Sequence, residues 1–167
     1  MSKTQLKKEL QSMDAEQMRE LVLDLYTARK DFKDYFEFFI DPDVEKLTEK
    51  YTLAIDKELH RQRRGYLATR FSTIRKTVKE YESYGIGADH VLRLMCHVLK
   101  TAVDNERCFY VKPAFMNGIE KTAADILKYG NKHLLFDAAL AAVHEAATKA
   151  SYVVRHRLHD MLEELQD

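Results

Sequence analysis

The sequence predicts an all-α protein of about seven to nine helices in antiparallel pairs, packed as a bundle or a short α-solenoid-like arc. Three observations predict it. Apolar residues recur at helical spacing along the whole chain, and no segment alternates as a strand does. Gly and Pro are scarce, 5 and 2 in 167 residues, which leaves little material for turns. Helix start and stop signals follow one another at short intervals with no repeat of fixed length. The length fits one domain, residues 1–167.

Residues 3–12 read as a short helix. Asp14 is placed as the N-cap of the next, with Gln17 at the capping-box position. That helix presents Met18, Leu21, Val22, Leu25 and Tyr26 on one side. It ends near Lys30 if Asp31 caps a new helix through Phe32, Tyr35, Phe36 and Phe39. The apolar phase also runs unbroken across 28–31, so one long helix is the alternative. In "DPDVEKL", Asp41 is expected as N-cap and Pro42 at the first helical position. That helix should reach about residue 62 and bury Val44, Leu47, Tyr51, Ile55 and Leu59.

Gly65 punctuates the chain, and residues 66–84 read as a helix with Leu67, Phe71, Ile74, Val78 and Tyr81 on one stripe. "YGIG" at 84–87 stops it. Asp89 is expected to cap a helix to about 105, and "FYVKP" at 109–113 is the clearest loop. A helix over 114–129 should end at Gly130. "HLLFDAALAAVHEAATKA", 133–150, is apolar around most of its circumference and is expected at the centre of the core. The last helix, 151–165, turns Val154, Leu158, Met161 and Leu165 inward.

Lys plus Arg equals Asp plus Glu, 27 each, so no global field draws the chain to nucleic acid or an acidic membrane. The first residues lack the apolar run of a signal peptide, and no stretch approaches a membrane span. Cys96 and Cys108 form no C-x-x-C pair and suit a reducing cytoplasm.

One local excess stands out. Between 57 and 79 lie Lys57, Arg61, Arg63, Arg64, Arg70, Arg75, Lys76 and Lys79, opposed only by Glu58. Arg75, Lys76 and Lys79 fall away from the apolar stripe, and Arg61, Arg63 and Arg64 gather at the preceding turn. Such cations can contact phosphates. Residues 14–58 are rich in Asp and Glu, however, and no base-reading motif is present. The segment therefore reads first as a solvated helix face.

Histidines offer the other candidate chemistry. In "RHRLHDMLEE", His156, His159, Asp160 and Glu163 share one side of the last helix at spacings a divalent ion could bridge. They lie opposite the apolar stripe, which favours a solvated polar face. His90, His97 and Asp104 line up in the same way and also read as solvent-facing. His144, on the apolar 133–150 segment, reads as a hydrogen-bonded core histidine. The chain has no H-E-x-x-H, no E-x-x-H, no phosphate-binding loop and no G-x-S-x-G. "GIGADH" lacks a third Gly and follows a helix, so it is no dinucleotide fingerprint.

The run "LKKEL…QMRELVLDLY…DYFEFFIDPDVEKLTEKYTLAIDKEL" followed by "RRGY" resembles a bacterial family catalogued as domain of unknown function 6155. The likeness is best over residues 5–84 and continues through "ILKYG" to "LHD". Before that His-Asp pair the resemblance implies an aromatic, glycine-rich run, where this chain has "YVVRHRLHD". It implies a small, all-helical, cytoplasmic bacterial protein and brings no activity.

The functional reading is a non-enzymatic helical protein-interaction or scaffold module, on the strength of dense amphipathic helices without a catalytic constellation. One alternative is a nucleic-acid accessory protein using Arg61, Arg63, Arg64, Arg75, Lys76 and Lys79. The second is a metal-dependent enzyme using His156, His159, Asp160 and Glu163. No cofactor is expected. Proteins are the expected partners, a second copy of the chain included, and a membrane is not.

Overall fold

Two helices at the start of the chain begin with the same reciprocal hydrogen bonds. In α1 (Lys3–Ser12) the Ser2 side chain accepts from the Gln5 N–H, and Gln5 accepts from the Ser2 N–H. In α2 (Ala15–Ala28) Asp14 and Gln17 do the same at 2.8 and 3.1 Å. Each box satisfies donors that a helix start leaves orphaned. The structure is a computed structural model and describes residues 1–164. The chain divides into two compact units, Met1–Asp43 and Val44–Asp167.

The first unit settles the choice left open over residues 14–40. Arg29 takes an extended conformation between α2 and α3 (Lys30–Ile40), so there are two helices. The expected cap, Asp31, lies inside the first turn of α3, where its charge still complements the helix dipole. The Tyr26 hydroxyl donates to Glu37 at 2.7 Å, and Phe36 packs between Phe32 and Phe39. No residue of this unit is buried.

The second unit opens with α4 (Val44–Leu59), two residues later than Asp41 and Pro42 suggest. Asp41 is already used to end α3: its N–H donates to the Glu37 carbonyl. Leu47, Tyr51, Ile55 and Leu59 are buried as the spacing requires, and Val44 is half-buried. A small hairpin follows, β1 (Gln62–Arg63) paired antiparallel with β2 (Tyr66–Leu67). Arg64 and Gly65, both at positive φ (53° and 80°), make its two-residue turn. The helix expected from residue 66 therefore starts at Phe71 as α5 (Phe71–Glu82). Two-residue strands are too short to show alternation. Leu67 is nevertheless buried, from a strand.

α6 (Ala88–Cys108) has Gly87 rather than Asp89 at its N-cap, and Asp89 sits two residues on, inside the first turn, where it pairs with Arg93 at 2.8 Å. Residues 109–112 form the expected loop, and α7 (Pro113–Lys132) has Pro113 at its first position. Gly130 does not stop α7. A Cβ there would lie 2.5 Å from the Ala139 Cβ, so Gly130 lets α8 (Phe136–Lys149) approach. The stop comes at Leu134, with φ 60° and the Leu135 N–H returning to the Gly130 carbonyl at 2.8 Å, a Schellman closure with leucine where glycine is usual.

The centre of this unit is the α6–α7 pair. α6 packs on α4, α5, α7 and α8, and α7 also on α9 (Tyr152–Glu163). Val98, Leu99, Val103, Ile119, Ala123 and Ile126 are the fully buried heart of it. α8, expected at the centre, buries one narrow face, Ala139, Val143, Ala146 and Ala147, and packs along the outside of α6 and α7. Its remaining alanines are small enough to tolerate solvent. On α9 the buried stripe is Val154, Leu158 and Leu162, with Met161 half-buried. Leu165, expected in that stripe, lies outside the described residues.

Candidate functional site

The basic segment is organised around its single acid. Glu58, in the last turn of α4, is buried. Its Oε1 accepts from Arg61 Nε at 3.1 Å, from the Arg70 N–H at 2.9 Å and from Arg70 Nε at 3.0 Å. Its Oε2 accepts from Arg70 Nη2 at 3.0 Å. The Arg70 side chain, hydrogen-bonded fork to fork, holds the Glu58 carboxyl below the usual carboxylate range. Arg61 also donates to the Ala68 carbonyl, and the Ala68 N–H returns to the Arg61 carbonyl at 2.8 Å. The clamp thereby closes both ends of the hairpin.

The end of α4 is tied off in the same place. The Leu59 carbonyl, which a helix C-terminus leaves without a partner, accepts from the Thr69 hydroxyl at 2.9 Å and the buried Asn105 amide at 3.3 Å. Hairpin, α4 and α6 are thus fastened through one carbonyl and one carboxylate. Sequence reasoning treated Glu58 only as a minority charge. The signal that could have found it is its isolation among eight cations, since a lone acid there is surrounded by donors.

This changes the inventory of candidate cations. Arg61 is committed to Glu58, and Arg75 Nε donates to Asp125 of α7 at 2.8 Å. Arg63, Arg64, Lys76 and Lys79 are exposed and form no ion pair among the described residues. The six residues do not converge on one face-wide array: two arginines sit at the hairpin, two lysines on α5, and the remaining two are structural.

The histidines also separate. His97 does not simply face solvent: its Nε2 lies 2.7 Å from Asp56 Oδ1, joining α6 to α4. Periodicity within one helix could not show a partner 41 residues away. His144 is exposed on the outer side of α8 and is not a core residue. His156, His159, Asp160 and Glu163 are exposed on α9. His156 Nδ1 bonds the Tyr152 carbonyl at 2.9 Å, and its ring packs on Tyr152. No group of three or more His, Cys, Asp or Glu side chains among the described residues is placed to hold a metal ion. The Cys96 thiol is pushed up to about 11 by burial, which suppresses the thiolate that nucleophilic chemistry needs.

The fold and these contacts define an almost wholly helical protein in which the polar cluster around Glu58 is structural. The chain belongs to the family described as "Family of unknown function (DUF6155)", whose model matches residues 1–166. The match extends the resemblance beyond 5–84 to include the C-terminal helix. No curated protein and no solved structure matches the chain. No described helix is long and apolar enough to cross a membrane.

Proposed function

We propose that the chain is a protein-interaction module that presents its α2–α3 pair to a protein partner. The observation that carries this is the exposure of Met1–Asp43: none of its residues is buried, and Leu23, Phe39 and Ile40 are 58%, 70% and 68% exposed. A unit of about 40 residues rarely buries enough apolar surface to order itself. An amphipathic pair in that condition gains most from a partner's apolar face.

The charge on the unit selects the partner. Residues 14–43 carry nine carboxylates against four cations. Self-pairing through this surface would set acid against acid, because a two-fold interface brings identical patches together. A partner with an apolar helical face edged by Lys and Arg complements it. The two reduced cysteines agree with a cytoplasmic setting.

The test uses the full chain and an F39D/I40D variant as baits in a lysate of the native host. A protein captured by the wild type is then purified and its affinity measured. Direct binding that weakens as salt rises and drops at least about tenfold in the variant, a hot-spot-sized loss, is expected. Equal binding by the variant, or a salt-independent homodimer in sedimentation, would overturn the reading.

A further inference from the structure

A second feature, independent of the α2–α3 pair, lies wholly within the second unit. A cleft of about 290 Å³ opens between α5, α6 and α7. Ile74, Val78, Val91, Met95 and Val98 give it an apolar wall. Its rim is charged: Arg75, Lys79, Lys128 and Lys132 against Glu82 and Asp125. Of these acids, Asp125 is engaged. It accepts from Arg75 Nε at 2.8 Å, and the pKa of Tyr129, on the same rim as Glu82, is pushed up to about 12 by burial and by that carboxylate. Lys79, Lys128 and Lys132 form no ion pair among the described residues. A positive rim is left over an apolar interior.

One atom makes the cleft more specific. Arg75 Nη2 is buried and has no hydrogen-bond partner. A buried unpaired donor costs free energy, more so on a charged group. Nothing in the packing of α5 on α7 supplies the acceptor. Arg75 lines the cleft with 37% of its side chain exposed, and a small shift of the guanidinium would offer that N–H to an oxygen at this end of the cleft.

We propose that this cleft binds a small amphiphile with an apolar body and a single oxyanion head, the body against Ile74, Val78 and Met95 and the head on Arg75. Size and lining suit such a molecule: small-ligand sites are mostly apolar, with a few convergent polar groups that fix orientation. The unpaired lysines exclude a cationic head. Four rim cations outnumber the two rim acids, which favours an anion over an amine. A carboxylate and a phosphate monoester share the required chemistry, and the probes separate them.

Methyl-resolved NMR of the full chain is titrated with decanoate, decyl phosphate, decanol and decylamine, each below its micellar concentration. Shifts at Ile74, Val78, Met95 and Val98 with one or both anionic probes are expected, with decanol and decylamine at least about tenfold weaker, the size of a lost charge-assisted hydrogen bond. Arg75→Gln should lower the affinity for the anion about tenfold and leave decanol unchanged. Because Arg75 also holds Asp125, Lys79→Glu with Lys128→Glu is the second variant. It alters only exposed rim charges and should weaken the anion in the same direction. Whichever anion binds more tightly names the head group. Equal binding of decylamine, shifts scattered away from this cleft, or an acidic amphipathic peptide occupying these methyls where no small amphiphile does would overturn the proposal.

Discussion

Gly118→Ala should change sign according to the residue at position 71. Gly118 lies on α7 where the Phe71 ring crosses it, and an added Cβ would meet ring carbons at 2.3 Å. No real contact is that short, so the ring must move. It has little room, because Phe71 is packed edge-on to Phe115 with centroids 5.3 Å apart. Overpacking of this kind costs about 1–3 kcal/mol. Replacing Gly by Ala inside a helix returns about 1 kcal/mol. In the wild type the balance is therefore destabilising, by up to about 2 kcal/mol. Phe71→Ala alone should cost about 3 kcal/mol, near the low end for a phenylalanine, because the cleft beside it admits water. In that background the obstruction is gone. The new methyl at 118 then gains helix propensity and about 0.8 kcal/mol of burial, so it stabilises. Urea unfolding of the four proteins, with a common slope, measures the coupling, expected at about 2–3 kcal/mol. The same sign for Gly118→Ala in both backgrounds would refute this account of the α5–α7 contact.

Three further outcomes follow from the contacts. Glu58→Gln should cost about 1.5–3 kcal/mol at neutral pH, below the loss for a wholly buried pair because both arginine heads reach solvent. Glu58's folded pKa is depressed, so the stability it contributes is complete above the unfolded carboxylate value near about 4.3 and disappears as pH falls through the lower folded value. The variant's stability curve should lack that acid limb, and parallel curves from pH titration of the unfolding free energy would contradict the clamp. Gly130→Ala should destabilise by about 1–3 kcal/mol in thermal unfolding, since its methyl would meet Ala139; a neutral result would mean that α7 and α8 are not in close contact there. Random duplex, single-stranded DNA and RNA should bind weakly at low salt and detach near physiological ionic strength, where charges are screened beyond about 8 Å. Tight binding at that salt, lost in an R63E/K76E double variant of unchanged stability, would make those cations a functional site.

The helices were legible because an amphipathic stripe is a property of residues three and four apart. Tyr51, Ile55, Ile74, Val154 and Leu158 are buried where periodicity puts them. Helix ends were less legible because they depend on single residues with several uses. Asp41 could cap or terminate and does the second; Gly130 could stop a helix or admit a neighbour and does the second. Leu134 gives no sign of a positive φ, since leucine seldom adopts one. The polar contacts were hidden for another reason. Glu58 with Arg70, and Asp56 with His97, are pairings across the fold, and spacing along one helix carries no information about them.

The absence of buried side chains before Val44 also has a kinetic meaning. Amide protons are released by local opening, and the cost of opening follows the apolar surface it exposes. Backbone amides of α2 and α3 should therefore exchange with deuterium fast, while those of α6 around Leu99 and α7 around Ile119 should wait for global unfolding. A protease would find its first cuts on the same side of Val44. Occupation of α2 and α3 by a partner would slow both processes, so the lifetime of the intact chain would report how much of it is bound.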